Sequence, residues 1–131
     1  MKQLVVITSI FAVLLFAQCK SGEQNAKELS TIVDELNKKC PQVIDSETRL
    51  DGLEFKQPNT LVYKYTLLNL NVQQLDTHQF YLAMWPGLLS TIKVSKEMQE
   101  LRNNKAIIQY SYRDKAQQPV YVFTIRPEDY Q

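Results

Sequence analysis

Hydrophobic and polar residues alternate on both sides of a short turn in the segment 48–68, TRLDGLEFKQPNTLVYKYTLL. Alternation with a period of two, in runs rich in β-branched and aromatic residues, is typical of β-strands. Pro58 presets φ at about −65° and Asn59 tolerates the left-handed region. The pattern therefore predicts a long β-hairpin whose turn is Gln57, Pro58 and Asn59.

A competing turn, Asp51-Gly52, would leave the run 61–68 without a neighbour of equal length, so we interpret Gly52 as a β-bulge. The predicted register pairs Phe55 with Leu61, Leu53 with Tyr63, Asp51 with Tyr65 and Arg49 with Leu67. These residues form an apolar, aromatic face. The opposite face carries Glu54, Lys56, Val62, Lys64 and Thr66.

Two helical segments flank this hairpin. The first is predicted from Asn25, as its N-cap, to Cys40 before Pro41, because apolar residues recur every three or four positions. The second covers residues 75–104 with Asp76 as its N-cap, and its predicted apolar face carries Phe80, Tyr81, Met84, Trp85, Leu88, Leu89 and Ile92.

Pro86-Gly87 falls in the middle of this second segment. An interior proline removes a helix hydrogen bond and costs about 3 kcal/mol, so we expect the helix to break or kink there. Trp85, beside the proline, is expected to stay buried against the sheet.

A second hairpin is predicted from the alternation in the runs 106–113 and 120–126, joined by the segment 114–119. This connection lacks glycine and is expected to be loose. The order is then helix, hairpin, helix, hairpin, and the predicted fold is α+β in two layers. A four-stranded antiparallel sheet would carry the helices on its aromatic face.

The first residues have the layout of an export signal. Lys2 precedes an apolar run, Leu4 to Ala17, that is shorter than the roughly 20 residues of a membrane span. The run ends in FAQC (residues 16–19), which resembles the lipobox of bacterial lipoproteins. We predict a signal peptide over 1–18, lipid attachment at Cys19, a tether over 19–24 and one domain over 25–131. Two alternatives to lipid attachment stay open. The signal peptide could be cleaved after Ala17 to give a soluble secreted protein, or it could remain as an uncleaved anchor.

Composition narrows the possible partners. The chain has 15 Lys and Arg against 14 Asp and Glu, and loss of Lys2 with the signal peptide leaves 14 of each. A neutral domain of this kind has no long-range attraction for nucleic acid. Three glycines exclude a glycine-rich phosphate loop, and no metal or other cofactor is predicted, because the chain has one histidine and two cysteines.

Three stretches, SETRLDG (46–52), YKYTLL (63–68) and QYSYRD (109–114), with a helix between the last two, resemble a family of small, functionally uncharacterised bacterial exported proteins. The resemblance covers about residues 29–126 and implies no established activity. Relatives often carry a glycine in the loop after the aspartate and cysteines near the positions of Ser95 and Asp129. This chain has neither, so the resemblance implies no disulfide there.

Catalytic chemistry has two candidate sets of residues. Cys40 and His78 are the only thiol and base that could pair, and nothing in their spacing brings them together. The carboxylates of Asp45, Glu47 and Asp51 alternate along a strand but equally suit its wet side. We predict no catalytic residues. A small hydrolase using either set stays an alternative, as does an immunity-type inhibitor of a secreted toxin.

The predicted function is therefore that of a non-catalytic exported module, at the periplasmic or outer-membrane face, that binds an envelope protein or an anionic surface component. Alternation places Lys64, Arg113 and Arg126 together on the open face of the sheet, where they are predicted to form a docking patch for an acidic partner. The alternative interpretation is that this face is an ordinary solvated surface of an antiparallel sheet and binds no partner. The oligomeric state is not predicted.

Overall fold

Helices and a five-stranded mixed sheet make up the computed structural model, which describes residues 22–131. The helices are α1 (Gly22–Asn37), α2 (Thr77–Val94), α3 (Gln99–Asn103) and α4 (Pro127–Tyr130). The strands are β1 (Gln42–Val43), β2 (Thr48–Lys56), β3 (Thr60–Leu67), β4 (Ile107–Arg113) and β5 (Pro119–Ile125), and they lie in that order across the sheet. The predicted signal peptide, Cys19 and tether residues 19–21 lie outside the described residues.

The first hairpin is confirmed with its turn at residues 57–59. Near the turn the register is as predicted, with Phe55 opposite Leu61 and Leu53 opposite Tyr63. Beyond it, a bulge between Leu50 and Gly52 shifts the pairing, so that Tyr65 faces Leu50 instead of Asp51. One extra residue on β2 allows Leu50 and Leu53, three apart, both to be buried in the core.

The prediction of four antiparallel strands is wrong in two respects. The residues that the structure describes contain a fifth strand, β1, and β3 pairs with β4 in parallel. The segment from β3 to β4, which contains α2 and α3, is long enough to return the chain to the end of the sheet where β3 begins. Alternation within each hairpin cannot reveal how the two hairpins are joined.

The outer edge of β2 is paired in two different ways. Beside Leu50 and Arg49 it pairs with β1. Beside Leu53 it pairs with a side chain: Asn37 Nδ2 donates to Leu53 O at 2.9 Å, and Leu53 N donates to Asn37 Oδ1 at 2.7 Å. A Cβ at Gly52 would lie 3.2 Å from Asn37 Oδ1, which is a tight contact. Gly52 therefore leaves room for the last residue of α1 to reach the sheet edge.

The helix ends differ in part from prediction. Asp76 is confirmed as the N-cap of α2, because its carboxylate accepts hydrogen bonds from the backbone N–H groups of His78 and Gln79. Asn25 is not an N-cap, since it lies inside α1, and α1 ends at Asn37. α2 also continues through Pro86, which is exposed, and the helical region is interrupted only at residue 95. A proline on the solvent side can leave the freed carbonyl to water.

Aromatic side chains fill the core between the sheet and the helices. The parallel register sets Tyr63 beside Tyr110 and Tyr65 beside Tyr112, with ring centroids 5.3 Å and 5.1 Å apart. Buried residues of α1, α2 and α3 join the same cluster: Leu29, Val33, Ile92 and Leu101. Burial raises the pKa of all four tyrosines, to about 12 for Tyr65, so these rings are neutral packing groups at physiological pH.

Trp85 is only partly buried, stacked on Tyr81 with ring centroids 5.6 Å apart. We therefore expect Trp85→Ala to lower the free energy of unfolding by about 2 kcal/mol. Phe123→Ala should cost about 3–5 kcal/mol, because Phe123 is 1% exposed and its truncation leaves a cavity. Urea denaturation of both variants measures the difference. An equal loss in free energy of unfolding for the two variants, or a larger loss for Trp85→Ala, would contradict this placement of the two rings.

Candidate functional site

A polar hollow lies on the face of the sheet opposite the aromatic core, towards the end where β3 and β4 finish. Eight residues line it: Pro41, Arg49, Asp51, Lys64, Tyr65, Ser111, Arg113 and Gln117. We refer to these residues as the polar hollow. Lys64 pairs with Ser111, and Thr66 pairs with Arg113, so the parallel joint between β3 and β4 forms its floor.

Two carboxylates neutralise two of the three cations here. Lys64 Nζ lies 2.7 Å from a carboxylate oxygen of Glu54, and the hydrogen bond from Lys64 is the main cause of a lowered pKa at Glu54. Arg49 Nε donates to Asp51 Oδ1 at 2.5 Å. The other oxygen of Asp51 accepts a hydrogen bond from the hydroxyl of Thr66. Thr66 is 2% exposed, although its face was predicted to be open.

Arg113, the third cation of the polar hollow, is bound by a backbone oxygen instead of a carboxylate. Its Nη1 donates to the backbone oxygen of Gln117 at 3.2 Å, and no carboxylate oxygen of residues 22–131 lies within 4.0 Å of its guanidinium. The side chain is exposed. A guanidinium with free N–H groups can bind a carboxylate or phosphate through two parallel hydrogen bonds. Arg113 is therefore the cation of the polar hollow that is available to an anionic group.

The loop after Arg113 is fixed, contrary to the predicted loose connection, because the carboxylate of Asp114 organises it. Asp114 accepts hydrogen bonds from the backbone N–H groups of Val72 at 3.0 Å, Ala116 at 2.9 Å and Gln118 at 2.8 Å. These bonds, with the one from Val72 first, lower the pKa of Asp114. The side chain is 1% exposed and ties the second hairpin to the segment before α2.

Gln117 connects this loop to the floor of the polar hollow. Its Nε2 donates to the Thr66 hydroxyl at 3.3 Å, while its backbone oxygen accepts from Arg113. Gln117 has φ of 65°, in the left-handed region that non-glycine residues rarely adopt. The surrounding hydrogen bonds hold it there, and the backbone oxygen of Gln117 in turn positions the Arg113 guanidinium.

The three residues of the predicted docking patch, Lys64, Arg113 and Arg126, do not all lie close together. Lys64 and Arg113 lie on neighbouring strands and line the polar hollow together. Arg126 follows β5 at the opposite end of the sheet, beside the start of β4. Six residue-to-residue steps along β4 lead from Ile107 to Arg113, a distance of about 20 Å. Alternation identified the shared face but not the position along it.

Cys40 is not arranged as a nucleophile. Burial, and secondarily the negative charge of Asp51, raise the pKa of its thiol, whereas a reactive cysteine needs a lowered pKa. Its Sγ donates to the backbone oxygen of Leu36 at 3.5 Å. His78 is exposed in the first turn of α2. The geometry therefore gives no support to a cysteine–histidine pair.

Two of the three carboxylates predicted to alternate along a strand, Asp45 and Asp51, have structural partners. Asp45 Oδ1 accepts from the backbone N–H of Glu47 at 2.8 Å in the turn before β2. Asp51 is shared between Arg49 and Thr66. Within residues 22–131, no three His, Cys, Asp or Glu side chains are grouped closely enough to hold a metal ion.

Arg49 and Gln117 were missed as members of the site. Each belongs to a segment whose local pattern predicts only a strand or a loop. One signal could have pointed to the loop that contains Gln117, namely Asp114 directly after the predicted strand. An aspartate in that position often accepts hydrogen bonds from the backbone N–H groups of the following loop.

Solved structures with a similar fold come from three bacteria. A predicted secreted protein of Pseudomonas aeruginosa superposes with a TM-score of 0.71 at 16% identity, over 88% of this chain and 100% of that one. The pilotin EpsS of the Vibrio vulnificus type II secretion system has a TM-score of 0.66 at 9% identity, over 84% of this chain and 94% of that one. The Vibrio cholerae type II secretion pilotin AspS has a TM-score of 0.63 at 10% identity, over 82% of this chain and 94% of that one. At these identities the likeness shows a shared fold.

Sequence comparison places the chain more narrowly. A family model described as "Domain of unknown function (DUF8479)" matches residues 23–122. No curated protein matches the chain. In the part of the chain that the structure describes, none of the helices is both long and apolar enough to cross a membrane.

Asp114→Asn tests the organisation of the loop. The pKa of Asp114 is lowered in the folded protein, so its stabilising effect is complete above the unfolded value of about 3.9 and is lost as the pH falls through the folded pKa. The variant should therefore unfold at lower urea than the parent at pH 7, and the difference should shrink below about pH 4. The exposed control Asp34→Asn should stay close to the parent. A deficit at Asp114→Asn that is unchanged at pH 3 would contradict the role of the charge.

Proposed function

The chain belongs to this family of unknown function, and we propose that it is a non-catalytic exported protein of the bacterial cell envelope that binds a partner protein through the polar hollow. The proposal combines three observations: the export signal of the sequence, the fold, and the geometry around Arg113. Lipid attachment at Cys19 is part of the proposal, since FAQC closes the apolar run at the position of a lipobox.

The likeness to a predicted secreted protein and to two pilotins supports the envelope setting. Both pilotins belong to type II secretion systems, and the fold they share with this chain extends over more than four fifths of it. Neither pilotin is close enough in sequence to transfer its own partner. The chemistry of the partner must therefore be argued from this surface.

The availability of Arg113 is the observation that carries the proposal. Its two cationic neighbours already have carboxylates, whereas Arg113 is held by one backbone oxygen on a loop fixed by Asp114. A guanidinium that is pre-organised loses little side-chain entropy on binding. It would select a carboxylate, from a side chain or a chain end, while Ser111 and Gln117 offer hydrogen bonds beside it.

The side chains of the polar hollow support catalysis less well than they support binding. Among the described residues that line the hollow there is no thiol, and the one carboxylate, that of Asp51, is engaged by Arg49 and Thr66. A serine, Ser111, is present without a histidine among the lining residues. Binding of an acidic group is the chemistry that these side chains support directly.

Charge reversal at Arg113 tests the proposed surface. Tagged full-length protein is crosslinked in its native cells and recovered with its partner, with Arg126→Glu as the matched control on the same face. Arg113→Glu should reduce partner recovery at least tenfold, because it replaces attraction with repulsion at a paired charge. Arg126→Glu should leave recovery near the parent level, since it lies about 20 Å away.

Both variants should melt close to the parent, because reversal of an exposed charge contributes under about 1 kcal/mol. Undiminished recovery by folded Arg113→Glu would refute the polar hollow as the binding surface. Loss in both variants would instead indicate a patch extending along the whole face, as first predicted from the sequence.

A further inference from the structure

The N-terminal end of α1 lies at one end of the sheet, beside the β2–β3 turn. Gly22 and Glu23 line the same hollow as Phe55, Gln57 and Pro58. Asn59 Nδ2 donates to the backbone oxygen of Lys105, and Ile107 N donates to the backbone oxygen of Asn59. The start of α1, the β2–β3 turn and the start of β4 therefore occupy the same end of the molecule, which we call the turn end.

Exposed cations occur along the turn end. Lys56 closes β2, Lys105 precedes β4 and Arg126 follows β5, and all three side chains are exposed. Neighbouring strands lie about 4.8 Å apart, so Lys56 and Arg126, three strands apart, are separated by about 15 Å. The segments 55–60 and 103–107 contain these two lysines and no acidic residue. Three acidic residues lie near the row: Glu23 on α1, Glu128 on α4, and Asp129, whose carboxylate accepts a hydrogen bond from the backbone N–H of Arg126 at 2.8 Å.

Chain length connects this end to the predicted lipid. Only Lys20 and Ser21 separate Cys19 from Gly22, the first residue of α1. Three Cα–Cα steps span at most about 11 Å. A lipid on Cys19 would therefore keep the turn end within reach of the membrane surface, where its charged side chains can determine how the domain is oriented.

We propose that the turn end rests on the anionic headgroups of a lipid bilayer, with Lys56, Lys105 and Arg126 facing the lipid phosphates. The inference rests on the proposed acylation of Cys19 and adds an orientation to it. Lysine and arginine near an anionic surface are attracted to it within a Debye length. We assign Arg126 to the membrane together with Lys56 and Lys105, so Arg126→Glu alone leaves two of the three cations in place. Lys64 and Arg113 are left to the partner protein.

The same geometry places the polar hollow away from the lipid. Arg113 ends β4, about 20 Å along the strand from its start at the turn end. The exposed loop residues 115–118 lie beyond it. A partner protein could then reach Arg113 from the aqueous side while the domain stays on the membrane.

Fluorescence quenching measures this orientation. The full chain is purified from the envelope with Cys40→Ser and one added cysteine, either Gln57→Cys at the turn end or Ala116→Cys at the far end. Each protein is labelled with an environment-sensitive dye and reconstituted into vesicles of phosphatidylcholine and phosphatidylglycerol that carry a headgroup quencher. The mass of the mature N-terminus is measured on the same samples.

We expect an acylated N-terminus, quenching of at least half the signal at position 57, and less than a tenth at position 116. Replacing phosphatidylglycerol with phosphatidylcholine, or introducing Lys56→Glu with Lys105→Glu, should reduce quenching at position 57 at least twofold. Acylated protein with equal or reversed quenching would overturn the orientation alone. An unmodified chain beginning at Gln18 would overturn the orientation together with the anchor, while the Arg113 pull-down tests the binding surface independently.

Discussion

The parallel pairing of β3 with β4 fixes how the two hairpins come together in one sheet. It joins two hairpins that could each form locally, and its register sets Tyr63 beside Tyr110 and Tyr65 beside Tyr112. On the other face the same register sets Lys64 beside Ser111 and Thr66 beside Arg113. One set of backbone hydrogen bonds therefore creates both the aromatic core and the floor of the polar hollow. A shift by one residue would exchange the two faces.

The two faces of this joint have different roles. On the inner face the stacked tyrosines contribute buried area and ring contacts, and their raised pKa values keep them uncharged. On the outer face the Thr66 hydroxyl of β3 donates to Asp51 of β2 and accepts from the Gln117 side chain, and the backbone oxygen of Gln117 accepts from Arg113 of β4. Asp114 fixes that loop to the segment before α2. The position of Arg113 thus depends on contacts from distant parts of the chain.

Local sequence signals predicted the features that depend on neighbouring residues. Pro58-Asn59 identified the first turn, Gly52 the bulge and Asp76 a helix cap, because each acts on the backbone within a few residues. The exposed Pro86 misled the prediction, since a helix can continue past a proline on its solvent side.

Features that depend on residues far apart in sequence could not be predicted. The parallel joint, β1 and the pairing of Asn37 with the edge of β2 depend on how separate segments meet. Alternation placed Lys64, Arg113 and Arg126 on one face but carries no information on their separation along it. Arg49 and Gln117 joined the site through a bulge and a left-handed residue, which break the local pattern.

Site-specific photocrosslinking in intact cells can show whether the polar hollow is the surface that binds a partner protein. A photoreactive phenylalanine analogue is placed at Ser111, inside the hollow, or at Lys93, exposed on α2. We expect a discrete adduct from position 111 that is lost when Arg113→Glu is added, and no such adduct from position 93. An adduct from position 93 alone, or one from position 111 that persists with Arg113→Glu, would contradict this role of the polar hollow.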